Sequence, residues 1–368
     1  MTTRSGIVPI DKISVGAYKI QTDAPESDGT FEWDSTTMVI IEVAAGAKTG
    51  LGYTYADTAT ATLIRDLLVP IVLGRDAISI QDCWDAMVHS IRNLGRPGIC
   101  SMAISAIDTA LWDLKARLLE QPLVDLFGSA RERLPIYGSG GFTSYSVEQL
   151  CTQLRDWVEQ GISRVKIKIG RDAKADVERV RAARQAIGQD VHLFVDANGA
   201  YSREQAVAQA AQFSDSRVTW FEEPVSSDDL AGLRFVRDHT PVGMKIAAGE
   251  YGYDLVYFDR MLGSGAVDVL QADATRCAGF TGFLQAAKLC EARQVPLSSH
   301  CAPALHLHVD CATKPMVHAE YFHDHLRIEK MFFDGNPEPI SGELYVDLSR
   351  PGMGLELKRP DIEKFRIL

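Results

Sequence analysis

Apolar positions in the first third of the chain follow two rhythms. Residues 18–21 and 37–43 are short β-like runs, joined by a polar stretch, residues 24–35, that reads as a mobile loop. Residues 60–73 and 81–94 then place apolar side chains at helical spacing. In residues 103–114 the face formed by Ala103, Ile104, Ile107, Leu111 and Leu114 is wide enough for a deeply buried helix. Gln121-Pro122 ends that helix, because proline drives the preceding residue out of the α region. This part of the chain predicts an α+β unit.

From residue 134 onward the texture changes to brief apolar runs separated by amphipathic windows. The runs are residues 134–137, 165–169, 193–195, 218–221, 245–248, 267–271, 295–298 and 317–320. Windows such as 146–160, 173–187 and 203–213 have the length of a crossover helix between parallel strands. Eight such units predict an α/β fold, a (β/α)8-type barrel. An open doubly wound sheet is the alternative, but no GxGxxG or GxxxxGK[ST] opens any of the helices. The tail after residue 340, with Pro351, Gly352, Gly354 and Pro360, is expected to leave the barrel and pack on the N-terminal part. The organisation expected is a capping domain at 1–128, a barrel at 129–340 and a returning segment at 341–368.

Composition narrows the function classes. The 368 residues are 46% hydrophobic and 24% charged, a balance that suits a large buried core. The net charge of −11 is spread over interleaved acids and bases, which argues against a nucleic-acid partner. No continuous apolar segment suggests a signal sequence or a membrane span, since the best stretch, residues 38–47, is interrupted by Glu42. Seven cysteines, an odd number without a CxxC pair, read as free thiols of a cytoplasmic protein.

In a barrel of this type chemistry collects at the C-terminal ends of the strands. Those ends hold Lys166 and Lys168, Asp196, Glu222, Glu250, Asp273, His300 and Glu320, all ionisable. A single charge there is an ordinary solvated residue; successive charged ends are not. Asp196, Glu222 and Glu250 fall on consecutive units and would converge, and converging carboxylates repel unless a cation joins them. An all-oxygen set suits Mg²⁺, with Mn²⁺ as a substitute. Glu223, beside Glu222, reads as a structural acid with a basic partner.

Lys166 and Lys168 share one face of a strand, and adjacent ammoniums are expected to depress one another's pKa, making a base. KxK alone would read as surface lysines, but Val165, Ile167 and Ile169 mark a buried strand. Asp273 is placed to orient His300 for acid–base work, whereas His306, His308, His323 and His325 have no comparable partner in the sequence. Lysine, histidine and a divalent metal together fit abstraction of a proton α to a carboxylate. Glu320, with a raised pKa, could donate a hydrogen bond to that carboxylate.

These residues resemble the enolase superfamily and, within it, the mandelate racemase subgroup. The resemblance spans nearly the whole chain: VKIKIG at 165–170, VDANGAY at 195–201, FEEP at 221–224, AAGE at 247–250, the aspartate of QADATRCAGFTG at 271–282, SSH at 298–300, and the cap helix at 103–128. It implies that Asp196, Glu222 and Glu250 bind one Mg²⁺. It also implies that Lys168 and the His300–Asp273 dyad are bases on opposite faces of the substrate, with Lys166 assisting the carboxylate. Asn198 and Glu320 match positions that contact the substrate region in relatives. Ala272 departs from the pattern, standing where many relatives have proline.

Members that resemble this chain in carrying both bases are mostly acid-sugar dehydratases, so the reaction expected is loss of water from a sugar acid to give a 2-keto-3-deoxy acid. A racemase or epimerase is the alternative; a muconate-type cycloisomerase fits less well, and a non-enzymatic metal-binding scaffold least. The partner expected is a small carboxylate substrate, and the assembly expected is a homo-oligomer. In relatives, cap loops read the end of the substrate distant from the metal. Here residues 20–47 and the next expected cap loop, 49–64, contain no Lys or Arg, apart from Lys48 between them, while Asp23, Glu26, Asp28, Glu32 and Asp34 lie in the first. Hydroxyls suit such a loop, with Trp33 as stacking and hydrogen-bonding surface, and a second carboxylate does not. An aldonate-type monoacid is therefore expected.

Overall fold

The computed structural model describes residues 6–368; residues 1–5 of the expected capping domain lie outside it. Three strands, β1 (Lys12–Ser27), β2 (Glu32–Ala45) and β3 (Lys48–Tyr55), form an antiparallel sheet in chain order. Within the run at 37–43, residues 38–41 are continuously apolar because β2 is covered on both faces. Val39, Ile41 and Val43 pack into the core beneath the cap helices, while Met38 and Ile40 join the core shared with the barrel.

Three segments depart from the expectations. Residues 24–35 are not a mobile loop: β1 runs to Ser27, β2 begins at Glu32, and a bulge lies between Gln21 and Glu26. Their polar side chains have partners. Trp33 Nε1 donates to Glu26 at 2.8 Å, the Ser27 and Thr143 hydroxyls bond at 2.6 Å, and Asp28 Oδ1 accepts the amides of Thr30 and Phe31 to close the turn. The expected loop at 49–64 is instead β3 as far as Tyr55 and a helix from Thr58, and the glycines of β3 are there for packing. A Cβ on Gly50 would lie 2.2 Å from the Ala110 carbonyl oxygen, and one on Gly52 2.2 Å from that of Ala106, so helix Ile99–Leu118 can approach the sheet only because both lack one. The helix expected over 60–73 is interrupted by a wider turn at Ile64–Leu68, where Pro70 has no N–H to return to Asp66.

The remainder closes a parallel barrel. Its strands are β4 (Arg133–Gly140), β5 (Arg164–Lys168), β6 (His192–Asp196), β7 (Val218–Glu222), β8 (Lys245–Ala248), β9 (Val269–Ala272), β10 (Leu297–Ser299) and β11 (Met316–Phe322). Each pairs with the next, and β11 returns to β4. Tyr137, Phe194, Trp220, Ala247 and Val269 fill the barrel interior, an apolar floor beneath the charged strand ends. The tail does not leave the barrel at once: Glu343–Tyr345 pairs antiparallel with β4. Only beyond it does the chain reach the cap, where the Leu123 amide donates to Gly352 and the Ile367 amide to Ala17. Among the described residues no helix is long and apolar enough to cross a membrane.

Candidate active site

Parallel closure brings the strand ends to one place. Lys166 and Lys168 point inward from β5, and neither forms the isolated cationic pair expected from the sequence. Lys166 Nζ donates to Glu222 Oε1 at 2.6 Å and lies 2.8 Å from Glu320 Oε1; Lys168 Nζ donates to Asp196 Oδ2 at 2.5 Å. Burial alone would depress both ammoniums, but these carboxylates outweigh it and hold both pKa values above the ordinary lysine range. The expected mutual depression is thereby corrected. Glu320 is corrected in the opposite sense. Burial would raise its pKa, but Lys166 and His300 lower it, so in this state it is an ionised acceptor rather than a donor.

One oxygen from each of Asp196, Glu222 and Glu250 lies within 4.8 Å of the others, and all three residues are buried. Burial and the neighbouring Asp196 push Glu222 up to about 8, the response of a carboxylate crowded by anions. Glu250 Oε2 is buried without a hydrogen-bond partner. A hard divalent cation fits these donors, since it would meet the orphaned oxygen and offset the crowded charge. Glu223 is not the salt-bridged acid expected: among the described residues no basic side chain lies within ion-pair distance, Oε1 has no partner, and burial together with Glu250 raises its pKa well above normal.

On the far side of the trio, His300 Nδ1 meets Asp273 Oδ2 at 2.9 Å, and His300 Nε2 stands 3.4 Å from Glu250 Oε2. Asp273 Oδ1 accepts both the amide and the hydroxyl of Thr275, each at 2.7 Å, which fixes the carboxylate against the imidazole. Burial would lower the His300 pKa; Glu250 and Asp273 raise it overall. The expectation that other histidines lack carboxylate partners fails at two positions: His323 meets Asp23 at 2.9 Å, and His306 lies 3.7 Å from Asp273.

A cavity of about 390 Å³ opens over this cluster. Lys168, Asn198, Glu250, Arg276, His300 and Cys301 line it from the barrel, and Asp28, Trp33, Thr36, Tyr55 and Asp57 from the cap. A larger groove of about 920 Å³, lined by Ile80, Trp112, Leu255 and Leu284, contains none of the strand-end residues. Asn198 adopts φ 47°, its amide donates to Asp196 Oδ1, and its side-chain oxygen has no partner. Trp33 offers only its ring, because Glu26 occupies its N–H.

The acidic character expected of the first cap loop is mostly spent elsewhere. Asp23 pairs with His323, Glu32 with Arg171, Glu26 is buried, and Asp34 accepts the Ser35 hydroxyl, leaving Asp28 alone of the five on the cavity wall. The sequence reading also missed several lining residues. Arg276 lies within the motif at 271–282 and stands 3.4 Å from Glu250 Oε1 and 3.7 Å from Asp273. Tyr55 stacks on His325 with ring centroids 3.4 Å apart, and nothing local in either segment signals that contact.

A closed barrel whose mouth holds three converging carboxylates between a lysine and a carboxylate-bound histidine is an enzyme architecture. The mandelate racemase/muconate lactonizing enzyme N-terminal domain matches residues 21–128, and the enolase C-terminal domain-like model matches residues 149–362. The chain belongs to the mandelate racemase/muconate lactonizing enzyme family of the enolase superfamily. It is 34% identical to 3,6-anhydro-alpha-L-galactonate cycloisomerase of Streptomyces coelicolor, over 95% of this chain and 97% of that one. It is 28% identical to arabinonate dehydratase of Saccharolobus solfataricus, over 87% of each. Among solved structures, a mandelate racemase/muconate lactonizing enzyme-like protein from Rubrobacter xylanophilus superposes with TM-score 0.96 at 49% identity, covering 98% of this chain and 100% of that one. A racemase from Streptomyces coelicolor A3(2), solved with bound magnesium, gives TM-score 0.92 at 30% identity over 97% and 100%.

Proposed function

We propose that this protein is a Mg²⁺-dependent acid-sugar dehydratase that removes the proton α to the substrate carboxylate and expels the β-hydroxyl. One observation carries the reading. Lys168 is bonded to Asp196 and His300 stands against Glu250, so the carboxylate trio lies between two proton-transfer groups at the floor of one cavity. Asp196, Glu222 and Glu250 would hold the ion, which supplies positive charge where the substrate carboxylate gains negative charge.

Of the two groups, one takes the α-proton, while Lys166, held by Glu222 and Glu320, adds a fixed positive charge beside the trio. Asp273 keeps the His300 Nδ1 proton in place, leaving Nε2 free to receive a proton or to give one to the departing hydroxyl. Loss of water leaves an enol that becomes a 2-keto-3-deoxy acid. The cap contributes no Lys or Arg to the cavity wall among the described residues, and Arg276 already faces Glu250 and Asp273. That supports an aldonate-type monoacid over a diacid. The seven cysteines, all free thiols, agree with a cytoplasmic setting.

A second reading keeps the proton abstraction and changes the leaving group. When the β-oxygen belongs to an ether ring, the same elimination opens the ring and the product is an isomer; similarity to an anhydro-sugar-acid cycloisomerase favours it. A racemase would return the proton to the opposite face instead. Incubating the protein and Mg²⁺ with a panel of linear and anhydro sugar acids, and assaying 2-keto acid against release of water, separates the three. A panel that yields only C2 epimers would replace elimination by racemisation.

A further inference from the structure

Cys301 takes no part in the chemistry above, yet its thiol stands in the cavity beside the imidazole. Cys301 Sγ lies 3.3 Å from His300 Nε2 and 3.6 Å from Glu320 Oε2, and those two atoms are 3.8 Å apart. All three residues are buried, and each offers one ligand atom to the cluster. A point about 2.1 Å from all three atoms follows from these edges, where zinc takes thiolate at about 2.3 Å and nitrogen or oxygen at about 2.0–2.2 Å. An ion slightly above the donor plane meets all three and keeps a fourth position open to the cavity.

We propose that His300, Cys301 and Glu320 form a second metal site, selective for Zn²⁺, whose occupation switches the enzyme off. Two further features suit it. Asp273 grips His300 Nδ1 at 2.9 Å, the carboxylate support that zinc-bound imidazoles have, and it leaves Nε2 as the ligand. Consecutive left-handed residues, Cys301 at φ 53° and Ala302 at φ 41°, turn the chain so that Sγ falls back on the imidazole. The Asp196–Glu222–Glu250 trio offers only hard oxygens, whereas the new site combines thiolate, imidazole and carboxylate, so the two sites divide Mg²⁺ from Zn²⁺. Binding releases the thiol proton and occupies the Nε2 lone pair, which stops His300 from transferring a proton. The binding stands independently of the proposed reaction; only the inhibition rests on it.

The test uses the full chain saturated with Mg²⁺, titrated with Co²⁺ as a spectroscopic substitute and then with Zn²⁺. The site predicts one Co²⁺ per chain with a thiolate-to-cobalt charge-transfer band, displaced by Zn²⁺. In Cys301→Ser the band disappears and Zn²⁺ binding weakens at least about tenfold. With a converted sugar acid in hand, Zn²⁺ should inhibit the Mg²⁺-loaded enzyme, a chelator should restore it, and Cys301→Ser should need more Zn²⁺ for the same fractional loss. A band that persists in Cys301→Ser, equal Zn²⁺ affinity in both proteins, or Zn²⁺ that binds only by displacing Mg²⁺ would overturn the site. If the band and its loss are observed while no sugar acid is turned over, the zinc site stands and the dehydratase reading fails.

Discussion

Replacing Asp273 with Asn changes one charge and almost no volume. The side chain keeps an oxygen for the Thr275 amide and hydroxyl, so the loop stays in place. What changes is the 2.9 Å contact with His300 Nδ1. The Asn amide donates there, which forces the imidazole proton onto Nε2, the nitrogen that faces Glu250 and the cavity. A buried charge-assisted hydrogen bond is worth about 1.5–3 kcal/mol, equivalent to about 10- to 150-fold in rate. The wrong tautomer adds to this, since it removes the lone pair a base requires, and the total expected loss in kcat is about 10²- to 10⁴-fold. The assay is 2-keto acid formation under Mg²⁺ saturation, with thermal unfolding in parallel. A variant within twofold of the parent rate, folded and Mg²⁺-bound, would refute the assignment of His300 and Asp273 as one proton-transfer unit.

Metal removal by exhaustive chelation should abolish turnover, and Mg²⁺ or Mn²⁺ should restore it; at one hundred times Kd the ion should also add about 2.7 kcal/mol of stability, an increment absent in Glu250→Gln. Gly52→Ala should destabilise the fold by about 3 kcal/mol or more in urea unfolding, because the new Cβ would press to 2.2 Å of the Ala106 carbonyl; an unchanged midpoint would mean the helix can yield. Glu26 is fully buried and burial pushes its pKa up to about 9, so the folded state holds a proton that the unfolded chain loses above its ordinary 4.5. Its contribution is therefore complete below pH 4.5 and lost as pH rises toward 9; Glu26→Gln should gain stability over the parent between pH 5.5 and pH 8, and parallel pH profiles would contradict this. Aldonates should exceed aldarates of matching stereochemistry in kcat/KM, and the reverse order would mean that a cation reads the distal carboxylate.

The barrel was legible because parallel strands covered on both faces leave short, mainly apolar runs. Asp196, Glu222, Glu250, Asp273, His300 and Glu320 each stand at the end of a run or within two residues beyond it, where the fold delivers side chains to the mouth. The β1–β2 hairpin was not legible, because Glu26, Ser27 and Asp28 look like loop residues until Trp33 and Thr143 arrive as partners. Strand β3 was hidden by glycines whose purpose is a helix more than fifty positions away. The ionisation of the site was misread for a similar reason. Two lysines two positions apart on one strand face suggest repulsion, and only the distances to Glu222, Glu320 and Asp196 reveal that anions dominate. Tyr55 and His325 meet from opposite ends of the chain, a contact that no local pattern encodes.

In the proposed reaction an α-proton is removed above the carboxylate trio, between Lys168 and His300, and a β-oxygen then leaves. Turnover in deuterium oxide with Mg²⁺ and a sugar acid tests it directly, with the product read by NMR. The expected product is a 2-keto-3-deoxy acid with no hydrogen at C2 and one solvent-derived deuterium at C3, formed by the parent protein and lost in both Lys168→Ala and His300→Asn. A keto acid produced at the parent rate by either variant, or one without deuterium at C3, would contradict it.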